Sequence, residues 1–153
     1  KNEGRIYAWD IHPHKVNRIK DSARRLGVEN LTADAADARV FKARLDGKAD
    51  RVLIDAPCTG LGVAGRKPDI KYTRTEDDIH ELAALQREIL NAGQRYVKPG
   101  GRLVYSTCTL TREENEDNAA WFASRFPFTM DYEELLLPGV SDGFYIARFI
   151  RKG

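Results

Sequence analysis

Two thiols stand in this sequence, each at the end of an apolar run: Cys58 in Asp55-Ala56-Pro57-Cys58 and Cys108 in Tyr105-Ser106-Thr107-Cys108-Thr109. A cysteine attacks as its thiolate, and a carboxylate such as Asp55 can hold or move a proton as charge develops on a substrate. Pro57 stiffens the turn between acid and thiol by fixing φ. If the two runs are neighbouring strands, two thiols and a carboxylate converge on one cleft, and nucleophilic catalysis is the chemistry they could perform. A single free cysteine is ordinarily a small buried hydrophobe. Two of them at strand ends beside an acid favour the reactive reading. One disulfide at most is available, and it is unexpected in the reducing cytoplasm taken as the default compartment. His12, His14 and His80 have no spacing that completes a metal site, so no metal is expected. There is no serine nucleophile elbow and no GxxxxGK[ST] phosphate loop.

Other carboxylates sit where strands should end. Asp10 closes Arg5–Trp9, and could accept hydrogen bonds from both ribose hydroxyls of a nucleotide-like cofactor or simply cap the next helix. Asp37 could meet an adenine amino group, with Asp34 as a competitor and an ordinary turn aspartate as the plain alternative.

The elements that must position these groups follow from patterning. Val16, Ile19, Ala23 and Leu26 form a helical stripe closed by Gly27. Glu29–Ala33 is a strand candidate, and Ala49–Ala56 contains a buried strand ending in Asp55. Residues 57–75 form a long loop with Gly60, Gly62, Gly65 and Pro68. Thr75 caps a helix with the stripe Ile79, Leu82, Leu85, Ile89, Leu90, Tyr96 and Val97, stopped by Pro99-Gly100-Gly101. Arg102–Thr107 is a strand, Thr111 with Glu114 forms a capping box for a helix through Trp121 and Phe122, and Phe144–Ile150 is β-like. This alternation predicts an α/β fold with a mostly parallel sheet and helices on both faces. Ligands in such sheets bind beyond the carboxyl ends of the strands, where all of these residues fall.

The composition agrees with one globular domain over 1–153. Of 153 residues, 42% are hydrophobic and 31% charged, too apolar for a disordered chain. No run approaches the ~18 apolar residues of a membrane helix, and Lys1 is followed by no signal-peptide core. The net charge is only +2, but residues 1–76 carry 16 Lys/Arg against 11 Asp/Glu and residues 77–153 carry 9 against 12. The cluster Arg66, Lys67, Lys71 and Arg74 would suit a polyanion, although a solvated loop is the plainer reading.

Asp55-Ala56-Pro57-Cys58-Thr59-Gly60 resembles the DAPCSG motif of the RNA cytosine-C5 methyltransferases. Tyr105-Ser106-Thr107-Cys108-Thr109 resembles that family's second cysteine motif. Arg66-Lys67-Pro68-Asp69-Ile70-Lys71-Tyr72 is similar to a loop of its bacterial Sun/Fmu branch, which includes the small-subunit ribosomal RNA enzymes. Glu113-Glu114-Asn115-Glu116 and Asp142-Gly143-Phe144-Tyr145 fit as well, so the resemblance covers nearly the whole chain.

The resemblance implies a Rossmann-like class I fold and S-adenosyl-L-methionine as cofactor. It implies Cys108 as the nucleophile on cytosine C6 and Asp55 at cytosine N3. Cys58 would assist removal of the C5 proton or release of the adduct. The cofactor would be held by Asp10, Asp37, Asp55 and Pro57, and RNA by Arg66, Lys67, Lys71 and Arg74, with Tyr72 stacking on a base or packing on its loop. The family's first strand and glycine-rich loop have no match here, so the resemblance implies a catalytic domain truncated at its N-terminus. The two sheet edges left by a missing strand would invite self-association. Two alternatives stand beside this reading: a transfer-RNA or large-subunit RNA cytosine methyltransferase, and a catalytically inactive RNA-binding fragment.

Overall fold

A computed structural model describes residues 2–139 and 141–153. The chain forms two compact units, 1–41 and 42–153.

The first unit is a β-α-β segment. Strand β1 (Ile6–Asp10) leads into helix α1 (Pro13–Arg25), and β2 (Leu31–Ala35) returns parallel to β1, with Asp10 opposite Ala35. Pro13 opens α1, where its missing N–H costs nothing. Gly27, at φ +65°, ends it as expected. Val16 and Ala33 are buried between helix and strands, but Leu26, read as part of the stripe, is exposed. Strand β2 starts two residues later than Glu29, so Asp34 lies within it and Asp37 follows its end.

The second unit is a four-stranded sheet in the order β3-β4-β6-β5. Strand β3 (Ala49–Asp55) runs parallel to β4 (Val97–Thr107), and β6 (Phe144–Arg151) runs antiparallel to both β4 and β5 (Phe128–Leu136). Parallel and antiparallel pairs are therefore equally represented in the chain, where a mostly parallel sheet was expected; the hairpin of β5 and β6 supplies the antiparallel half. Strand β3 was read as buried, yet it is the outer strand of this sheet. Ile54 packs into the core while Leu53, on the opposite face, is 70% exposed.

The short helix α2 (Ile70–Thr73) interrupts the long loop, and α3 (Glu76–Gly93) carries the chain from β3 to β4. The Thr75 hydroxyl accepts from the Asp78 N–H, and the Asp78 carboxylate accepts from the Thr75 N–H. Two of the helix's orphan donors are thus satisfied reciprocally. The helix stops at Gly93, six residues before Pro99. Tyr96 lies in a 3₁₀ turn and Val97 begins β4, so neither belongs to the helical stripe read from sequence.

Helix α4 (Glu116–Arg125) also departs from expectation. Its N-cap is Asn115, and the Thr111–Glu114 pair does not form the capping box, because Glu114 is turned into the interior. The core contains Leu90, Leu103, Tyr105, Phe122, Phe128, Tyr145 and Phe149. The Phe122 ring lies 4.7 Å from Phe149 and 5.0 Å from Phe128, centroid to centroid. Among the described residues, no helix is long and apolar enough to cross a membrane.

A candidate active site built on two cysteine loops

Strands β3 and β4 end side by side. Asp55 is opposite Ser106 in the parallel register, and the Ser106 hydroxyl donates to Asp55 Oδ1 at 3.2 Å. The Ala56 N–H donates to the Ser106 carbonyl at 2.9 Å, which extends the pairing one residue beyond β3. Both chains then turn away from the sheet, and each turn presents a thiol. Cys58 Sγ and Cys108 Sγ lie 3.3 Å apart, within hydrogen-bond reach, and both cysteines are free and partly buried. The convergence expected of Asp55, Cys58 and Cys108 is therefore present.

The two sulfurs are not equivalent. The hydrogen bond with Cys58 pulls the Cys108 thiol down to about 7, against opposing pushes from burial and from the Asp55 carboxylate. The same hydrogen bond, together with burial, raises Cys58 far above an ordinary thiol. The shared hydrogen bond thus favours the thiolate on Cys108 over that on Cys58. The thiolate fraction on Cys108 increases as pH rises through about 7.

Replacing Cys58 with Ala removes the shared hydrogen bond and leaves burial and the Asp55 and Glu114 charges, which raise the thiol, against only a backbone hydrogen bond at Cys108. The Cys108 midpoint is expected to climb to at least the ordinary ~8.5, which lowers its alkylation rate at pH 7 by about 15-fold. Iodoacetamide labelling across pH, read by peptide mass spectrometry, measures both midpoints; the same midpoint in both proteins would contradict the assignment.

A buried polar frame lies directly behind the sulfurs. Thr59 follows Cys58, Thr109 follows Cys108, and their hydroxyls are 2.7 Å apart. Glu114, with no exposed surface, accepts from the Thr59 N–H (2.9 Å), the Thr59 hydroxyl (2.5 Å), Gln86 Nε2 (2.9 Å) and the Thr111 hydroxyl (2.7 Å). Gln86 also donates to the Pro57 carbonyl at 2.9 Å, and its own carbonyl accepts from the Tyr105 hydroxyl at 2.9 Å and from Asn118 Nδ2 at 2.7 Å. The Thr107 hydroxyl donates to Asn115 Oδ1, and Asn115 Nδ2 donates to the Thr109 carbonyl.

Thr59, Thr109 and Asn115 lie within the motifs read from sequence, which give them no role, and Gln86 lies outside every motif. Gln86 carried the clearest signal, a polar residue inside the apolar stripe of α3. Glu114 was noticed, but as a cap.

The glycine-rich loop is strapped to the same place. Gly60 adopts φ +75°, which a side chain would resist. The Gly62 N–H donates to the Cys108 carbonyl at 3.0 Å, and the Gly143 N–H donates to the Gly62 carbonyl at 2.9 Å. Arg66, read as an RNA contact, pairs with both oxygens of Asp142 while its side chain stays 72% exposed. Arg74, read likewise, donates to the Thr59 carbonyl at 3.2 Å and lies 4.0 Å from Asp78. Both cations thus brace the loop and remain partly exposed. Lys67, Lys71 and Tyr72 remain exposed at the turn between them, and Tyr72 is 88% exposed.

In the first unit, Asp10 Oδ1 accepts from the His12 N–H at 2.8 Å, and Oδ2 lies 3.7 Å from Lys15 Nζ. Its half-buried carboxylate keeps acceptor capacity at the carboxyl end of β1, as a ribose diol requires. Asp37 is gripped by the Arg39 guanidinium and backbone N–H, which hold its carboxyl below the usual range. Both of its oxygens are thus engaged within the chain.

Comparison with known proteins is consistent with this geometry. Residues 1–150 match the family described as 16S rRNA methyltransferase RsmB/F. The chain is 40% identical over 162 residues to "Ribosomal RNA small subunit methyltransferase B" of Klebsiella pneumoniae, a match that takes in 98% of this chain and 37% of that protein. It superposes on the crystal structure of PH0851 with a TM-score of 0.91 and 36% identity, covering 97% of this chain and 37% of that one. It also superposes on NSun6 from Pyrococcus horikoshii, solved with SFG, with a TM-score of 0.83 and 30% identity, covering 99% of this chain and 42% of that one. The chain spans 37–39% of the length of the curated relatives it matches.

Proposed function

Because the chain belongs to the 16S rRNA methyltransferase RsmB/F family and has its Rossmann-like class I fold, we propose that it carries the chemistry of an S-adenosylmethionine-dependent RNA cytosine-C5 methyltransferase acting on small-subunit ribosomal RNA in the cytoplasm. The observation that carries this reading is the pair of thiols, 3.3 Å apart on the turns that follow two adjacent parallel strands.

Cytosine C5 is too weak a nucleophile to accept a methyl group unaided. The Cys108 thiolate adds to C6, forming a sulfur–carbon bond and making C5 enamine-like, a covalent route that divides one difficult step into easier ones. Asp55, held by Ser106, is the group for N3, where charge builds as C6 is attacked. S-adenosylmethionine, when bound, supplies an electrophilic methyl group on its sulfonium. Cys58 assists removal of the C5 proton, which passes to solvent while the C5–H electrons re-form the C5–C6 double bond, the sulfur–C6 bond breaks and the Cys108 thiolate is regenerated. Asp10 fits the ribose hydroxyls of the cofactor; Asp37 would have to share its carboxylate with Arg39 to reach the adenine.

The target base must be unpaired or extruded to expose C6. Arg66, Lys67, Lys71 and Arg74 are the phosphate contacts of this reading, with Tyr72 beside them, and Arg66 and Arg74 also hold the loop that presents the lysines. Self-association through the outer edge of β3 belongs to the same proposal, and a concentration-independent monomer mass in solution would remove it.

The test is transfer of labelled methyl groups from S-adenosylmethionine to small-subunit ribosomal RNA, digested to nucleosides. Label in 5-methylcytosine supports the reading; RNA binding without transfer supports an inactive RNA-binding protein instead. Label in transfer RNA or large-subunit RNA alone would reassign the substrate.

A further inference from the structure

The frame behind the sulfurs has an unusual centre. Glu114 is fully buried, and among the described residues the four groups that donate to its carboxylate are neutral: one backbone N–H, two threonine hydroxyls and one amide. Burying a carboxylate without a cation carries a large desolvation penalty, which these four donors must offset. An apolar residue there would avoid that penalty, so the position of the donors matters. Two of the four come from Thr59, the residue after Cys58, and the Thr59 hydroxyl touches that of Thr109, the residue after Cys108. A third, Gln86 Nε2, also holds the Pro57 carbonyl, one residue before Cys58. The main chain on both sides of Cys58 is thus fixed through one carboxylate, and the chain after Cys108 is tied to it through one hydroxyl.

We propose that Glu114 is a positioning residue for both thiols, its carboxylate setting the separation between Cys58 and Cys108 on which adduct formation and release depend. This deepens the reading of the cysteine pair as a methyl-transfer site. It is tested by a readout that does not need that reading.

Phenylarsine oxide provides the readout. Its trivalent arsenic bonds two thiols at once, forming two As–S bonds and releasing its oxygen as water with the two thiol protons, with no change of redox state. It captures a pair only when both sulfurs can meet one arsenic atom. Iodoacetamide, by contrast, reports each thiol separately.

Three variants separate the possibilities. Glu114→Gln keeps the shape: Oε1 still accepts from Thr59 N and Gln86 Nε2, and the new NH₂ faces two hydroxyls that can rotate to accept. Thr59→Val removes the hydroxyl bridge at constant volume. Glu114→Ala removes the frame. Wild type and Glu114→Gln are expected to capture the arsenical with affinities within about threefold of each other. Thr59→Val and Glu114→Ala should lose about tenfold, with slower iodoacetamide labelling of Cys108 at pH 7 as its hydrogen bond with Cys58 is lost and, in the methyl-transfer assay, kcat reduced at constant KM for RNA. Near-ultraviolet circular dichroism checks that each variant is folded.

If Glu114→Ala does not fold, Thr59→Val decides. Folded Thr59→Val with wild-type arsenical capture overturns the proposal, as does wild-type capture in folded Glu114→Ala. Normal capture behaviour in a protein that transfers no methyl group would overturn the functional reading and leave the frame standing.

Discussion

Replacing Cys108 with Ala is expected to abolish methyl transfer, by about 10⁴-fold or more in kcat, while leaving the fold and the melting temperature close to those of the parent. Loss of a covalent nucleophile removes the whole route rather than one favourable contact, which is why such effects are large and non-additive with those of its partners. Structural loss should be small because Cys108 lies on a turn after β4 and is only partly buried. Replacing Cys58 with Ala has a different signature. It slows attack by raising the Cys108 midpoint, and it also removes the group that assists C5 proton loss, so RNA should accumulate covalently on the protein. Denaturing gel electrophoresis after incubation with RNA and cofactor distinguishes the two: a retained band for Cys58→Ala, none for Cys108→Ala, and none for the double variant. A retained band in Cys108→Ala would move the nucleophile elsewhere.

Gly62→Ala is the substitution expected to damage the fold most. A Cβ at Gly62 would lie 2.3 Å from the Gly143 carbonyl oxygen and 2.8 Å from the Cys108 carbonyl oxygen. Both obstacles are backbone, so neither can swing aside as the end of a side chain would. Gly62 itself donates to the Cys108 carbonyl and accepts from the Gly143 N–H, and relieving the clash therefore breaks two hydrogen bonds. The cost is expected at about 3 kcal/mol, the upper end of ordinary overpacking. That corresponds to a fall in Tm of about 6–12 °C for a chain of this size. Gly65→Ala, three residues away with open space around its Cβ, should stay within about 0.5 kcal/mol. Thermal melts of the pair measure the contrast; equal melting temperatures would mean that the loop is not held against Cys108 as described.

The parts of this molecule legible in its sequence are those set by local chemistry. Helix α3 announces itself through Thr75 and Asp78 at capping-box spacing and through Ile79, Leu82, Leu85 and Ile89 on one face. Strands β3, β4 and β6 are short apolar runs, and the acid and thiols at the ends of β3 and β4 could be placed from them. What escaped depends on tertiary pairing. Strand β5 carries Asp131, Glu133 and Glu134, is mostly exposed, and has a bulge between Met130 and Tyr132 that breaks the two-residue alternation. Glu114 follows Thr111 at capping-box spacing, yet its carboxylate is drawn inward by Thr59 and Gln86, donors that are distant in sequence. The bracing contacts of Arg66 and Arg74 escaped because Asp142 and the Thr59 carbonyl, their partners, lie beyond any local window.

The central claim is that Cys108 bonds to cytosine C6. Its most direct measurement uses RNA in which the target cytosine carries fluorine at C5, incubated with the protein and S-adenosylmethionine. After methyl transfer no proton remains at C5 to be removed, so the sulfur–C6 bond cannot be released by the normal elimination. Proteolysis and tandem mass spectrometry then locate the nucleotide on the protein. The account predicts one methylated 5-fluorocytosine attached to Cys108. Attachment at Cys58, or turnover of ordinary RNA to 5-methylcytosine with no trapped adduct on the fluorinated RNA, would contradict it.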